Sequence, residues 1–317
     1  MKLSTTTQCA QQGVPQRFEH QAVFYRGIDE LVAAVLPFIR EGIDQAEPVL
    51  VALLPDRLAA VEAALGADAT RVDFVDMAEL GANPACIIPE WRRFLADTCD
   101  EGSVRGVGEP LWSGRRDAEV EEAVLHEALL NLAFDDGPGW RLMCPYDVSA
   151  LPAEVIEDAV RTHPTAHGFV GGQEYAGLEL AHSRFGSPLT PAPADADMCE
   201  FGPADLAGLR SMVGRLAESA GVRRSALDDL VLAAHELATN SVLHGGGAGL
   251  LRSWSQPGAF VVEIADAGLI KDPLVGRDLL HDLAETGRGV WMANQLCDLV
   301  QVRSGSAGTV VRLFAWL

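Results

Sequence analysis

The sequence predicts two domains: an N-terminal α/β domain with a mainly parallel sheet, and a C-terminal α+β sandwich with helices layered on an antiparallel sheet. Three observations carry this reading. Between residues 20 and 161, short apolar runs alternate with amphipathic segments, the pattern of strands joined by helical crossovers. From residue 203 onward the order becomes helix, helix, strand, strand, helix, strand, strand. Between these regions, Gly186-Ser-Pro-Leu-Thr-Pro-Ala-Pro-Ala-Asp195 has the composition of an extended, semi-rigid spacer. The expected boundaries are residues 18–184, a linker over 185–200, and residues 201–317.

In the first domain, His20 to Tyr25 reads as a strand and Asp29 to Ile43 as a helix with Leu31, Val32, Val35, Leu36 and Ile39 in phase, kinked at Pro37. The unbroken apolar run Val49 to Leu54, ended by Pro55, suits a strand buried on both faces. Further strands are expected at Arg71 to Val75, Ser103 to Gly108 and Trp140 to Cys144. Helices are expected at Arg57 to Leu65, Glu90 to Cys99, Glu119 to Phe134 and Ala153 to Arg161. No G-x-x-x-x-G-K-[ST] or G-x-G-x-x-G occurs, so this domain has no phosphate loop.

Glu109, Trp112, Cys144, Tyr146 and Asp147 follow two of these strands, and open α/β sheets bind ligands outside the carboxyl ends of their strands. Trp112 and Tyr146 would wall such a pocket, with Glu109 or Asp147 as its polar anchor. Each also has a plainer reading: Trp112 and Cys144 as core, Glu109-Pro110 as a turn, His20 and His163 as structural histidines. His20, Cys144 and His163 carry metal-ligating atoms at no diagnostic spacing. This half resembles the MEDS sensory domain through His20 with Phe24-Tyr25, Phe38-x-x-Glu41-Gly42, Gly108-Glu109-Pro110-x-Trp112, Glu127, Asn131, Cys144-Pro145-Tyr146-Asp147 and His163-Pro164. The resemblance implies a sensor of small ligands, with simple hydrocarbon derivatives as the class of signal. His20, Glu109, Trp112, Cys144, Tyr146 and Asp147 are its candidate pocket.

The second domain opens with a helix over Pro203 to Ala220, ended by Gly221. In the next, Leu227, Leu230, Val231, Ala234, Leu237 and Ala238 form one apolar face. Glu236 and Asn240, four residues apart, share a different face. A carboxylate and a carboxamide so placed can hold hydrated Mg²⁺ and polarise a nearby hydroxyl; alone, the pair reads equally as a solvated face. The strands Gly249 to Ser255 and Ala259 to Ala265 follow, and the second runs into Asp266-Ala-Gly268. After a long irregular stretch come Gly287-Arg-Gly289, a helix to Leu296, and a hairpin around Gly305-Ser-Ala-Gly308 that leads into Thr309.

In this order the pieces resemble the N, G1 and G2 boxes of the GHKL ATPases, and more narrowly the ATP-binding domain of the anti-sigma-factor serine kinases. The resemblance covers about residues 200–317 and implies a Bergerat-type fold that binds ATP and Mg²⁺. It places Asn240 on Mg²⁺, Glu236 as general base, and Asp266 as acceptor for the adenine amine. Gly268 lies against the ring, Gly287, Arg288 and Gly289 around the phosphates, and Thr309 beside the nucleotide. Leu269 to Thr286 is long enough to be a lid. His244 packs locally or faces the phosphates. Sensor histidine kinases carry their phosphoacceptor on a hairpin ahead of this domain. Here the linker runs directly into it, and His235 lies inside the Glu236 helix, so phosphate is expected to go to a partner Ser or Thr, or nowhere.

Composition narrows the partners. The net charge is −21, and it belongs to the front: residues 1–200 hold 14 basic and 33 acidic residues, residues 201–317 hold 10 and 12. Such a surface repels nucleic acid and anionic lipid. Six cysteines, none in C-x-x-C, a polar start without an apolar leader, and no apolar run approaching ~20 residues fit a cytoplasmic protein with reduced thiols. The leading expectation is a signalling regulator whose sensory domain controls an Mg·ATP-dependent serine/threonine kinase acting as an anti-sigma factor. Its partner would be a sigma factor or a STAS-type antagonist, and the family suggests homodimers. The alternative is a non-catalytic, nucleotide-gated module that sequesters a sigma factor or another regulator.

Overall fold

The computed structural model describes residues 17–98, 103–135, 139–167, 175–277 and 288–317. In the first domain, β1 (Glu19–Tyr25), β2 (Val49–Leu53), β3 (Asp73–Asp76), β4 (Arg105–Gly108), β5 (Arg141–Asp147) and β6 (Thr165–His167) form one sheet in the order β3-β2-β4-β5-β1-β6. Every pairing in it is parallel, as the alternation with helices requires. On one face, α1 (Gly27–Asp44) and α2 (Pro55–Leu65) cover Val23, Tyr25, Val51, Leu53 and Met143. On the other, α4 (Ile87–Thr98), α5 (Asp117–Ala133) and α6 (Ala153–Thr162) cover Ala22, Leu50, Ala52, Leu142, Cys144 and Tyr146; α3 is the single turn Met77–Leu80. Trp91 of α4 packs closely on β4, where a Cβ at Gly106 would stand 2.8 Å from its ring. The expected strand, helix and parallel character are all present.

α7 (Gly177–Gly186) packs on α5 and falls at the end of the expected first domain. The linker does not run free: residues 197–201 form β7 (Asp197–Phe201), which pairs antiparallel with β8 (Gly249–Gln256) at the edge of the second sheet. Upstream of β7, the Thr190 carbonyl accepts from Arg312 Nη2 at 2.7 Å, and Ala192 and Ala196 pack against Trp254 and Phe314. The proline-rich stretch is thus a strap over the outer face of that sheet.

The second sheet runs β10 (Leu299–Gly305), β11 (Gly308–Trp316), β9 (Ala259–Asp266), β8, β7, all antiparallel. On its inner face lie α8 (Leu206–Ser219), α9 (Arg224–His244) and α10 (Arg288–Leu296), sharing a core with Leu251, Val262, Ile264, Val311 and Leu313. On the outer face, Arg252, Glu263 and Arg312 stand side by side across three strands and pair through Glu263 at 2.8 and 2.6 Å. Among the described residues no helix is long and apolar enough to cross a membrane.

The two domains are joined through α5 and the segment after Asp266. Leu274 sits in the core of the first domain. Arg277 and Arg303 both pair with Glu122 of α5, Arg303 at 2.7 Å, and all three are buried. Asn83 Nδ2 donates to the carbonyl of Asn294 on α10 at 3.0 Å, and Gln301 Nε2 donates to Glu121 at 3.1 Å.

Candidate functional site

A cavity of about 410 Å³ opens between α9, β9, β11 and the segment that follows Asp266. Its apolar walls are Leu237, Ile264, Leu269, Ile270, Val275, Val290 and Val311, and its polar groups are Asn240, Ser241, His244, Asp266, Lys271, Asp272 and Thr309. Few polar groups converging in a mostly apolar cleft of this size is the form of a small-molecule site.

Asp266, at the end of β9, is fixed from two sides. Ser241 Oγ donates to its Oδ2 at 2.6 Å, and the Gly268 amide donates to its Oδ1 at 2.8 Å. Each carboxylate oxygen keeps further acceptor capacity, so the group is oriented and still able to take a donor from a ligand. The space around it admits only glycine: a Cβ at Gly245 would overlap the carboxylate, and one at Gly268 would lie 2.9 Å from Oδ1. Thr309 Oγ1 donates to the Gly268 carbonyl at 2.9 Å and bonds Ser304 Oγ at 2.7 Å. Ser304 Oγ in turn accepts from the Ile270 amide at 2.8 Å, so one chain of bonds holds the start of the expected lid.

Asn240 lies on the cavity wall, and α10 begins beside it: a Cβ at Gly289 would overlap Asn240 Nδ2. Arg288 is exposed at the first position of α10. Glu236 is half-buried one helical turn before Asn240 and outside the lining of the cavity. Gly287 and the segment 278–286 lie outside the described residues. The structure therefore gathers Asn240, Asp266, Gly268 and Thr309 at one cavity, with Gly289 behind Asn240. Sequence reasoning missed Ser241, Ser304 and Lys271. Lys271 was open to it, since the chain holds only one other lysine, Lys2. The cavity suits an adenine nucleotide: it offers an oriented carboxylate acceptor, apolar walls for a ring, and a carboxamide with Lys271 and His244 on the polar side.

The six residues singled out in the first domain do not form one pocket. Cys144 and Tyr146 lie within β5 rather than after it, and the alternation of the strand sends them toward α5 and α6 while Asp147 faces the other way. His20 joins Cys144, which lies 3.3 Å from its Nε2. On the opposite side, Glu109 is fully buried; its Oε1 accepts from Tyr25 Oη at 2.6 Å and also from Arg57. Burial pushes the Glu109 carboxyl up to about 7 against the pull of Arg57. Asp147 accepts from the Ser149 amide at 2.9 Å, closing its own turn. Trp112 is stacked under the Arg115 guanidinium, 3.6 Å from the ring centre. The strand-end pocket expected from Trp112, Tyr146, Glu109 and Asp147 is thus divided by the sheet itself.

Comparison with known proteins follows this division. Residues 19–164 match the family model of the methanogen/methylotroph DcmR sensory domain, MEDS. Residues 199–315 match that of the histidine kinase-like ATPase domain. Among solved structures, the chain is similar to one containing the RsbU and RsbW domains of a Mycobacterium tuberculosis protein, at 18% identity and a TM-score of 0.29. That match covers 38% of this chain and 32% of the other. Among curated proteins, none matches significantly.

Proposed function

From a MEDS segment joined to a histidine kinase-like ATPase domain, we propose a signalling regulator in which the first domain controls binding and use of Mg·ATP by the second. The observation that carries the reading is Asp266, held by Ser241 and the Gly268 amide at the floor of an apolar cavity with Asn240 on its wall. Asp266 accepts the adenine exocyclic amine and so prefers adenine to guanine, whose oxygen at that position cannot donate. Ile264, Val290 and Val311 hold the ring. Asn240 offers its carboxamide oxygen to hydrated Mg²⁺, and Lys271 gives positive charge on the phosphate side. Bound Mg·ATP supplies the phosphoryl group.

Glu236 takes the proton of an incoming serine or threonine hydroxyl of a protein partner, which makes the chain a protein kinase. The resemblance of the boxes to anti-sigma-factor kinases supports a STAS-type antagonist or a sigma factor as that partner, in a cytoplasmic setting. The contacts of Leu274 with the sensory core and of Arg277 with Glu122 support the coupling: the segment that borders the cavity is anchored on α5.

A second reading, a nucleotide-gated binding module without catalysis, is favoured by the position of Glu236 outside the cavity lining. The variant Glu236→Gln separates the two. Under the kinase reading it binds Mg·ATP like the wild type and loses about 10²–10⁴-fold in phosphorylation of a STAS-domain panel. If the wild type binds Mg·ATP and phosphorylates none of the panel, the kinase reading fails and the binding module stands.

A further inference from the structure

A second cluster of reactive side chains lies beneath the first sheet, far from the nucleotide cavity in the chain and independent of it. His20 of β1, Cys144 of β5, Glu127 of α5 and His163 just after α6 each bring one ligand atom to within 4.8 Å of all the others, and all four residues are buried. His20 Nε2 lies 3.2 Å from Glu127 Oε2 and 3.3 Å from Cys144 Sγ, and His163 Nε2 lies 3.0 Å from the same carboxylate oxygen.

Hydrogen bonds orient the two rings and fix one nitrogen of each. His163 Nδ1 is 2.7 Å from the Ala159 carbonyl, which only accepts, so Nδ1 carries a hydrogen. Asn131 Nδ2 donates to the carbonyls of Glu127, Ala128 and Thr162, which turns its Oδ1 toward His20 Nδ1 at 3.2 Å. That oxygen also only accepts, so His20 Nδ1 is a donor as well. With Nδ1 of each ring turned outward, both Nε2 atoms point at the same Glu127 carboxylate oxygen. Both Glu127 oxygens and His163 Nε2 lack an aligned hydrogen-bond partner although they are buried. Two imidazole nitrogens and a thiol sulfur gathered around one buried carboxylate form a set that a cation can bind.

We propose that His20, Glu127, Cys144 and His163 bind one divalent transition-metal ion of the zinc class. A tetrahedral ion about 2.0–2.3 Å from nitrogen, oxygen and sulfur ligands holds those atoms roughly 3.3–3.7 Å apart. Three of the pairs stand at 3.0, 3.2 and 3.3 Å and the set spreads no further than 4.8 Å, so small side-chain rotations complete the tetrahedron. The outward Nδ1–H bonds to a carbonyl and a carboxamide are the support that orients metal-bound histidines. Two imidazoles, a thiolate and a carboxylate suit Zn²⁺ and exclude the hard, all-oxygen preference of Mg²⁺ and Ca²⁺. Four protein ligands leave no open position, which makes this a structural or sensing centre. Glu127 and Glu122 lie five residues apart on α5, so the helix that anchors the nucleotide segment also carries a metal ligand.

The test uses the full chain without a histidine tag, incubated with Zn²⁺ and freed of excess by gel filtration. The expected result is one zinc per chain, with a zinc-edge X-ray absorption spectrum of one sulfur and three nitrogen or oxygen ligands. Cys144→Ser and His163→Gln, each folded by circular dichroism, are expected to retain at least about fivefold less zinc, and Asn240→Ala to retain all of it. A folded wild-type chain that keeps no zinc, or keeps it without a sulfur ligand, overturns the proposal. The wild-type spectrum decides the matter even if the variants do not fold. A proton shared between the histidines and Glu127 would give the zinc-free result.

Discussion

Replacing Glu122 by Gln tests the coupling between the domains. Glu122 is 0% exposed and faces two guanidinium groups from the second domain, Arg277 at 5% and Arg303 at 8% exposure. Glutamine keeps the volume and one acceptor but removes the charge that balances both arginines. Breaking a buried pair from one side costs about 3–5 kcal/mol, because the remaining charges stay desolvated. At roughly 2–4 °C per kcal/mol for a chain of this size, the melting temperature should fall by about 6–20 °C. The loss should be local to the interface before it is global: hydrogen exchange should rise first over residues 269–277 and β10. Calorimetric melting and exchange of the wild type, Glu122→Gln, Arg277→Gln and the double variant form the assay. A coupling energy above about 2 kcal/mol between positions 122 and 277 is expected. A shift within about 1 kcal/mol, the value of an exposed pair, would refute the claim that this contact locks the domains.

Two further outcomes follow from particular contacts. Gly289→Ala should leave folding intact, since alanine favours a helix, but its methyl must displace Asn240; titration should show Mg·ATP binding weakened by roughly 10–100-fold, the value of a charge-assisted contact. Glu109 holds its proton up to about 7 in the folded chain, above its ordinary value of 4.5. The folded state therefore binds the extra proton between those values, and the contribution of Glu109 to stability is present below 4.5 and lost as pH rises through 7. Relative to Glu109→Gln, the wild type should lose about 3 kcal/mol between pH 5 and 8 in denaturant titrations. A difference that does not change with pH would contradict the assigned burial.

Much of this architecture was legible in the sequence because periodicity reports burial directly. The mostly apolar segment Phe260 to Ala265 and the unbroken apolar run Val49 to Leu54 each read as a buried strand. The boxes placed Asn240, Asp266, Gly268 and Thr309, which the fold brings to one cavity. What was not legible has physical reasons. Proline at 145 hid the second half of β5; its ladder with β4 ends at Met143, so Pro145 lies where one side of the strand is already an edge. β7 is an exposed edge strand in which only Phe201 is buried, so it leaves almost no hydrophobic signal. The contact of Glu122 with Arg277 joins residues 155 positions apart, and no local pattern encodes it. The division of the expected sensory pocket could have been read, since Cys144 and Tyr146 share a parity that Asp147 does not.

We propose that the second domain binds Mg·ATP through Asn240 and Asp266. Calorimetric titration of ATP into the wild type and Asn240→Ala, with and without Mg²⁺, tests it most directly. Saturable binding to the wild type at one nucleotide per chain, strengthened by Mg²⁺, is expected, with loss of that Mg²⁺ enhancement in a folded Asn240→Ala protein. A folded wild type that takes up no adenine nucleotide, or a variant with the same Mg²⁺ dependence as the wild type, would contradict it.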